Sequence, residues 1–237
     1  MTAPAVHNDL PVLTCVGGGG VRIEYRLLDR AVRYALSAAG HATPRLLPAA
    51  TPCAEWDLGR LLAHLGDSLD ALAEGLSARS VGPGQCCGAE GPAGAPSAPG
   101  AGDGDGEGEG DGLIAGLAVR AAVLLTACAE VPGGQEPVAV GDQLLTTSVV
   151  AITGAIEVAV HGWDISVSCG DHEPVPSRLA TELLPYAALL VPRHTRPGLF
   201  ADPVLVPRRT SAGDRLVAFL GRQPAGTTMA APGPGGP

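Results

Sequence analysis

The hydrophobic positions of the chain fall into four long stretches in which they recur with the spacing of an α-helix. The first is IEYRLLDRAVRYALSAAG, whose apolar residues share one face and which ends at Gly40. In the second, residues 58–76, leucines recur with a period of about 3.6 residues. The third, residues 113–131, has a single charged residue in its interior, Arg120. Together with the fourth, residues 144–167, these stretches predict a frame of four helices.

The fourth stretch is apolar, free of proline and carries three ionisable residues, Glu157, His161 and Asp164. Because these residues are spaced four and three apart, a helix projects them from one side. A helix that is otherwise apolar all round is usually buried, and a buried carboxylate is costly unless it is paired or bound to a metal. Two interpretations stay open from spacing alone. Glu157 and His161 are ligands of a metal, which needs a third ligand from elsewhere, or the three residues form the solvated side of the helix.

The remaining segments contain weaker signals. EPVAV before Gly141 is either a strand or a connection, and residues 176–191 predict a fifth helical stretch that is interrupted at Pro185. The segment 198–224 predicts a strand-like piece followed by a short terminal helix. We therefore expect an all-α fold: a four-helix bundle with a long crossover between helices two and three and short C-terminal elements.

Glycine and proline, 34 and 22 residues of the 237, are concentrated in a few stretches and set the predicted domain boundaries. Residues 1–20 are predicted to be a flexible leader and residues 223–237 a disordered tail. The helical domain then spans residues 21–222. Within it, residues 79–112 form a low-complexity insert rich in glycine, proline and acidic residues, which we predict to be disordered.

Composition restricts the partners. The net charge is −9 and all 15 basic residues are arginine, which argues against a nucleic-acid or anionic membrane surface. We predict neither a signal peptide nor a membrane span. The cysteines show no metal-type or disulfide-rich spacing, which favours a reducing cytoplasm. They lie at positions 15, 53, 86, 87, 128 and 169. The sequence does not distinguish a monomer from a homodimer.

Three segments resemble a known family: TPCAEWDLGRLLAHL, EVAVHGWDIS and AGDRLVAFLGRQP. The chain is similar to the DinB-like four-helix proteins of actinobacteria, in the branch related to mycothiol-dependent maleylpyruvate isomerase. The resemblance covers roughly residues 22–222 apart from the low-complexity insert. Its most specific feature is the combination of Pro-Cys-x-x-Trp before helix two with His-Gly-Trp-Asp on helix four.

The resemblance implies a metal centre, with a metal usually taken to be zinc. In that family the ligands are a His on helix two and a Glu and a His four apart on helix four, which here are His64, Glu157 and His161. Three such ligands leave a fourth position open, as in catalytic zinc sites. Asp164 would hold His161, or an arginine of helix one, in place. Arg120 is the candidate for steering a substrate carboxylate, the alternative being an arginine that extends from a helix edge into solvent.

The resemblance also implies a reaction. The metal would hold a low-molecular-weight thiol such as mycothiol as a thiolate, which attacks a small electrophile by conjugation or with cis–trans isomerisation. Isomerases of this branch carry a further C-terminal domain, whereas about 70 residues follow helix four here, so we expect a thiol transferase. Two alternatives remain: a non-catalytic protein that binds a metal and a small molecule, and a zinc-dependent hydrolase with Asp164 as its base. Whether the protein is an enzyme is left open.

Overall fold

The computed structural model describes residues 22–53, 56–82, 107–131, 133–196 and 200–224. Six α-helices occur in this part of the chain: α1 Ile23–Ala39, α2 Leu58–Ala78, α3 Glu107–Glu130, α4 Thr147–Cys169, α5 Ser177–Leu190 and α6 Ala212–Phe219. Three short strands accompany them: β1 Ser80–Val81, β2 Pro137–Val140 and β3 Gln143–Thr146. Two short 3₁₀ turns lie at Pro44–Leu46 and Arg193–Thr195.

The central helix of the bundle is α4, which packs most extensively on α1 and also on α2 and α5. The backbones of α1 and α4 approach closely at Gly162, where an added Cβ would lie 2.9 Å from the Cα of Ala35. Only glycine permits this approach without a shift of one helix. α3 packs mainly on α2, and α6 packs on α5. This arrangement confirms the predicted all-α, four-helix architecture with a long connection between α2 and α3.

A small three-stranded sheet covers one end of the bundle, in the order β1-β2-β3. β2 and β3 form an antiparallel hairpin in which Val138 lies opposite Leu145, and β1 adds to β2 in parallel. The segment EPVAV, left open by the sequence, therefore contains a strand. The predicted start of the fourth helix at residue 144 is wrong, because Gln143–Thr146 pairs with β2. The helix begins at Thr147, where the hydroxyl of Thr146 accepts the Val149 N–H.

Local capping residues define two other helix ends. The Asp57 side chain accepts a hydrogen bond from the Arg60 N–H at 2.8 Å and begins α2. Gly170 ends α4 in the left-handed conformation, with φ +84°. The helix extends to Cys169, two residues beyond the predicted stretch.

Two C-terminal predictions need correction. α5 continues through Pro185 without interruption. Proline removes one backbone hydrogen bond from the helix, and Pro185 lies on the exposed side, where a carbonyl left without its N–H partner can be solvated. The strand-like piece expected before the last helix forms no strand in residues 200–211, whereas α6 is the predicted short terminal helix.

The predicted insert is only partly described. Residues 80–81 form β1 and residues 107–112 belong to α3, so the ends of the predicted insert are ordered elements. The predicted leader lies outside the described residues, as do residues 83–106 and 225–237. The domain boundaries remain a prediction.

Two helices are, by length and composition, apolar enough to cross a membrane: α4 and residues 112–130 of α3. This is a weak indication, because the core helix of a soluble protein meets the same criterion. α4 is mostly buried in the bundle, as expected of a core helix, whereas α3 exposes Val119 and Val123. That the chain lacks a membrane span remains a prediction.

Candidate metal centre

Three side chains from two helices converge between α2 and α4. One ligand atom each of His64, Glu157 and His161 lies within 4.8 Å of the others. His64 Nε2 is 3.5 Å from Glu157 Oε1, and the two imidazole rings lie 5.1 Å apart at 89°. Two nitrogen donors and one carboxylate are thus brought together, one from α2 and two from a single turn of α4.

The local sequence explains how the carboxylate of this group is held. His64 and Ser68 are one turn apart on α2, and Glu157 and His161 are one turn apart on α4, so each pair faces the other helix. Ser68 is buried, and its hydroxyl donates a 2.6 Å hydrogen bond to Glu157 Oε1. Ser68 was not predicted from the sequence, although its spacing of four from His64 was a usable signal.

Asp164 lies behind His161 and is fully buried. The Nδ1–H of His161 donates to Asp164 Oδ2 at 3.2 Å. Because Nδ1 is engaged in this way, the Nε2 atom of the ring is left to act as a ligand. The predicted role of Asp164, holding His161 in place, is consistent with this contact.

The charge of Asp164 is balanced by Arg222, a residue beyond α6. Its Nε donates to Asp164 Oδ1 at 3.2 Å and its Nη2 to Oδ2 at 2.8 Å. Burial alone raises the pKa of the Asp164 carboxyl, but the hydrogen bond from His161 and the guanidinium of Arg222 more than offset this and lower the pKa below its usual value. An arginine of helix one was expected for this contact, and Arg222 was not predicted. Arg30 of helix one is instead bound to Glu182 at 3.0 Å.

The partly exposed Cys53 joins the group behind His161. Its Sγ lies 3.3 Å from Asp164 Oδ2 and 3.2 Å from Arg222 Nη2. Burial, followed by the charge of Asp164, raises the pKa of the Cys53 thiol to about 12, so the thiol is protonated and donates to the carboxylate. Cys53, His161 and Asp164 also have ligand atoms within 4.8 Å of one another. A cation there would meet the positive charge of Arg222, so we assign this group a supporting role.

Trp56 covers the histidines from the side of the turn before α2. Its ring centroid is 4.5 Å from that of His64 and 6.3 Å from that of His161. The guanidinium carbon of Arg60 lies 5.3 Å from the Trp56 ring centroid. An aromatic ring in this position restricts the orientation of His64.

Arg120 is not brought to this cluster. Its Nε is 3.1 Å from Asp70 Oδ2, and its guanidinium lies beside Gly66. Residues two apart on a helix point to different sides, so the Gly66 side of α2 is not the side that carries His64. Among the described residues, no contact joins Arg120 to the three candidate ligands, and the substrate-steering role expected for it receives no support.

A helical bundle that gathers histidine and carboxylate side chains from facing helices belongs to the class of bundle-type metal-binding domains. Residues 26–166 match the family of the mycothiol maleylpyruvate isomerase N-terminal domain. The match covers more than half of the chain, and the protein belongs to this family. No curated protein and no solved structure matches the chain. The matched residues include the three candidate ligands and Asp164, but they end before Arg222.

Proposed function

We propose that the protein binds a divalent metal, most suitably zinc, through His64, Glu157 and His161 and uses it to activate a low-molecular-weight thiol. The observation that carries the proposal is the convergence of these three ligand atoms within 4.8 Å of one another. Ligands about 2.1 Å from one zinc ion lie at most about 4.2 Å apart, so small side-chain rotations suffice to close the site. Imidazole and carboxylate are ordinary zinc ligands, and three protein ligands leave a position for an exogenous group.

The surrounding side chains support this site. Ser68 fixes one oxygen of Glu157, and Asp164 fixes the ring of His161 so that Nε2 is available. Trp56 shields the ring of His64 from one side. When bound, the metal would keep a thiol sulfur deprotonated at neutral pH, which makes it a nucleophile.

The thiol and its reaction are proposed from the family. Mycothiol is the natural candidate, because the family is described by a mycothiol-dependent isomerase domain. The electrophile is a small molecule, and the reaction is either thiol conjugation or thiol-assisted isomerisation. We also propose that residues 21–222 form one domain, since Arg222 is in contact with Asp164 of α4.

The first test is elemental analysis of the purified wild type beside His64→Ala and His161→Ala. We expect about one metal ion per wild-type chain and almost none in either variant. Arg120→Ala is the matched control, because this residue pairs with Asp70 outside the cluster. A folded wild type that takes up no zinc after soaking would overturn the proposal, as would unchanged metal content in both histidine variants.

The second test concerns turnover. Zinc-loaded protein is incubated with mycothiol and either a conjugation electrophile or a cis-configured enedione acid, and the products are followed by mass spectrometry. Repeated turnover supports the proposal that the protein is an enzyme. Metal and thiol binding without turnover would instead establish the non-catalytic alternative. The burial of Asp164 and its contact with Arg222 count against the hydrolase alternative, for which Asp164 was the expected base.

A further inference from the structure

Arg222 lies outside the family-matched residues, yet its side chain is only 11% exposed and its partner Asp164 is completely buried. The backbone delivers it by a sharp reversal after α6. Gly221 has φ +85°, a conformation that favours glycine, and the Arg222 N–H then bonds to the Val217 carbonyl at 2.9 Å. Arg222 Nη1 also donates to the Leu220 carbonyl at 3.2 Å, so the guanidinium is held along with the reversed backbone.

We propose that Arg222 is a positioning residue of the metal centre, which sets the metal affinity of His161 by holding Asp164. The inference rests on the proposed metal site. It adds that the C-terminal segment, defined here as residues 200–224, contributes to the centre although it supplies no ligand.

An unbroken series of charge-assisted contacts links Arg222 to His161. Two donors of Arg222 bind both oxygens of Asp164, and one of those oxygens accepts the Nδ1–H of His161. Bidentate pairing fixes the plane of the carboxylate and thereby the direction of the histidine ring. Without Arg222 the carboxylate is buried with its balancing charge removed, and both Asp164 and His161 can leave this arrangement.

A purely structural role for Arg222 has to be separated from this one, and Arg196 provides the matched control. Arg196 is also buried, and it binds the same C-terminal segment through the carbonyls of Ala201 at 2.8 Å and Phe219 at 2.7 Å. Its hydrogen bonds lead to backbone carbonyls and not to Asp164. Both arginines therefore hold this segment, but only Arg222 is connected to a candidate ligand through its hydrogen bonds.

The experiment measures zinc Kd by competition with a chromophoric chelator, beside urea unfolding of the metal-free proteins. We expect Arg222→Ala to weaken zinc binding by about 10- to 100-fold, as for other residues that orient a ligand. Arg196→Ala should lower the urea midpoint while zinc Kd stays at the wild-type value. Arg222→Lys keeps the charge but not the bidentate geometry, so its Kd should lie between those of the wild type and Arg222→Ala.

Cobalt substitution provides a second readout that is independent of activity. The visible spectrum of Co²⁺ reports its coordination geometry, so Arg222→Ala should change the spectrum and Arg196→Ala should not. In an Asp164→Asn background, Arg222→Ala should cause little further loss of zinc affinity, because its proposed route of action is already broken. If Arg222→Ala does not fold, Arg222→Lys decides, since wild-type zinc Kd in that variant contradicts the bidentate role.

The outcomes separate the two proposals. A wild type that binds no zinc overturns the proposed function, and this inference with it. If the wild type binds zinc and both Arg222 variants bind it with the wild-type Kd, the inference alone is overturned. Equal weakening by Arg196→Ala and Arg222→Ala would also overturn it, because stabilisation of the C-terminal segment would then explain the effect.

Discussion

Glu157 and Asp164 are two carboxylates on the same helix, two turns apart, and their surroundings differ. Asp164 is fully buried and contacts the guanidinium of Arg222, the ring of His161 and the thiol of Cys53. The Glu157 side chain is 21% exposed and lies between the hydroxyl of Ser68 and the imidazole of His64. One carboxylate is therefore enclosed in the protein interior, and the other lies at the centre of the candidate site.

The difference indicates that the two carboxylates have different roles. A buried carboxylate with a bidentate arginine is part of the folded structure, and removing either partner leaves an uncompensated charge. A carboxylate beside two imidazoles at a partly open position is suited to bind a cation that arrives from solvent. We therefore expect substitutions at Asp164 to affect stability first and substitutions at Glu157 to affect metal binding first.

The largest expected effect is that of Asp164→Ala on stability. The variant leaves Arg222 buried with its countercharge removed, and it should lower the free energy of unfolding by about 3–5 kcal/mol. Urea unfolding of the metal-free protein measures this. Glu157→Ala is the comparison and should lower the same quantity by less, about 1–2 kcal/mol, because the Ser68 hydroxyl loses this acceptor. Equal destabilisation by the two variants would remove the proposed contrast.

Acid titration tests the same contrast through pH. The folded-state pKa of Asp164 lies below its unfolded value of about 3.9, so its stabilisation is present at neutral pH and lost as pH falls through the folded pKa. The metal-free wild type should therefore lose stability below about pH 4 more steeply than Asp164→Asn. The measurement is a series of urea midpoints against pH with a chelator present. Parallel curves for the two proteins would contradict the lowered pKa.

Ser68→Ala should have a smaller effect, confined to the Glu157 side. Loss of one hydrogen bond costs about 0.5–1.5 kcal/mol, which corresponds to a zinc Kd weaker by about 2- to 13-fold. Competition with a chelator measures this change. Ser77→Ala is a suitable control, since its hydroxyl bonds the Ala73 carbonyl in the last turns of α2. A similar loss in the control would show that α2 as a whole has been perturbed.

The last prediction concerns the chemical reactivity of the Cys53 thiol. Because its pKa is raised to about 12, the thiol should react with iodoacetamide at pH 8 far more slowly in the folded protein than in urea. Peptide mass spectrometry after timed labelling measures the rate at this position. Rapid modification of Cys53 in the folded protein would contradict its protonated, hydrogen-bonded state.

The sequence predicted the helices of the bundle because their signals are local. The leucine period predicted α2, and Gly40 marked the end of α1. The strand β3 escaped prediction because Leu144 is 73% exposed, and a short hairpin arm with an exposed leucine does not alternate clearly between apolar and polar positions.

The candidate site was predictable to a similar degree. The spacing of Glu157 and His161 placed them together, and the family resemblance added His64, which the structure brings to the same point. Arg222 was not predictable, because its contact with Asp164 depends on how α6 packs and on the chain reversal at Gly221. The pairing of Arg120 with Asp70 likewise depends on which side of α2 receives α3.

The close approach of α1 and α4 at Gly162 has an evolutionary consequence. Gly162 directly follows His161, and an added Cβ would meet the Cα of Ala35, a backbone atom that cannot rotate away. A larger residue at position 162 would push α4, which carries His161 and Asp164, away from α1. Position 162 is therefore expected to keep glycine wherever this interhelical distance is inherited.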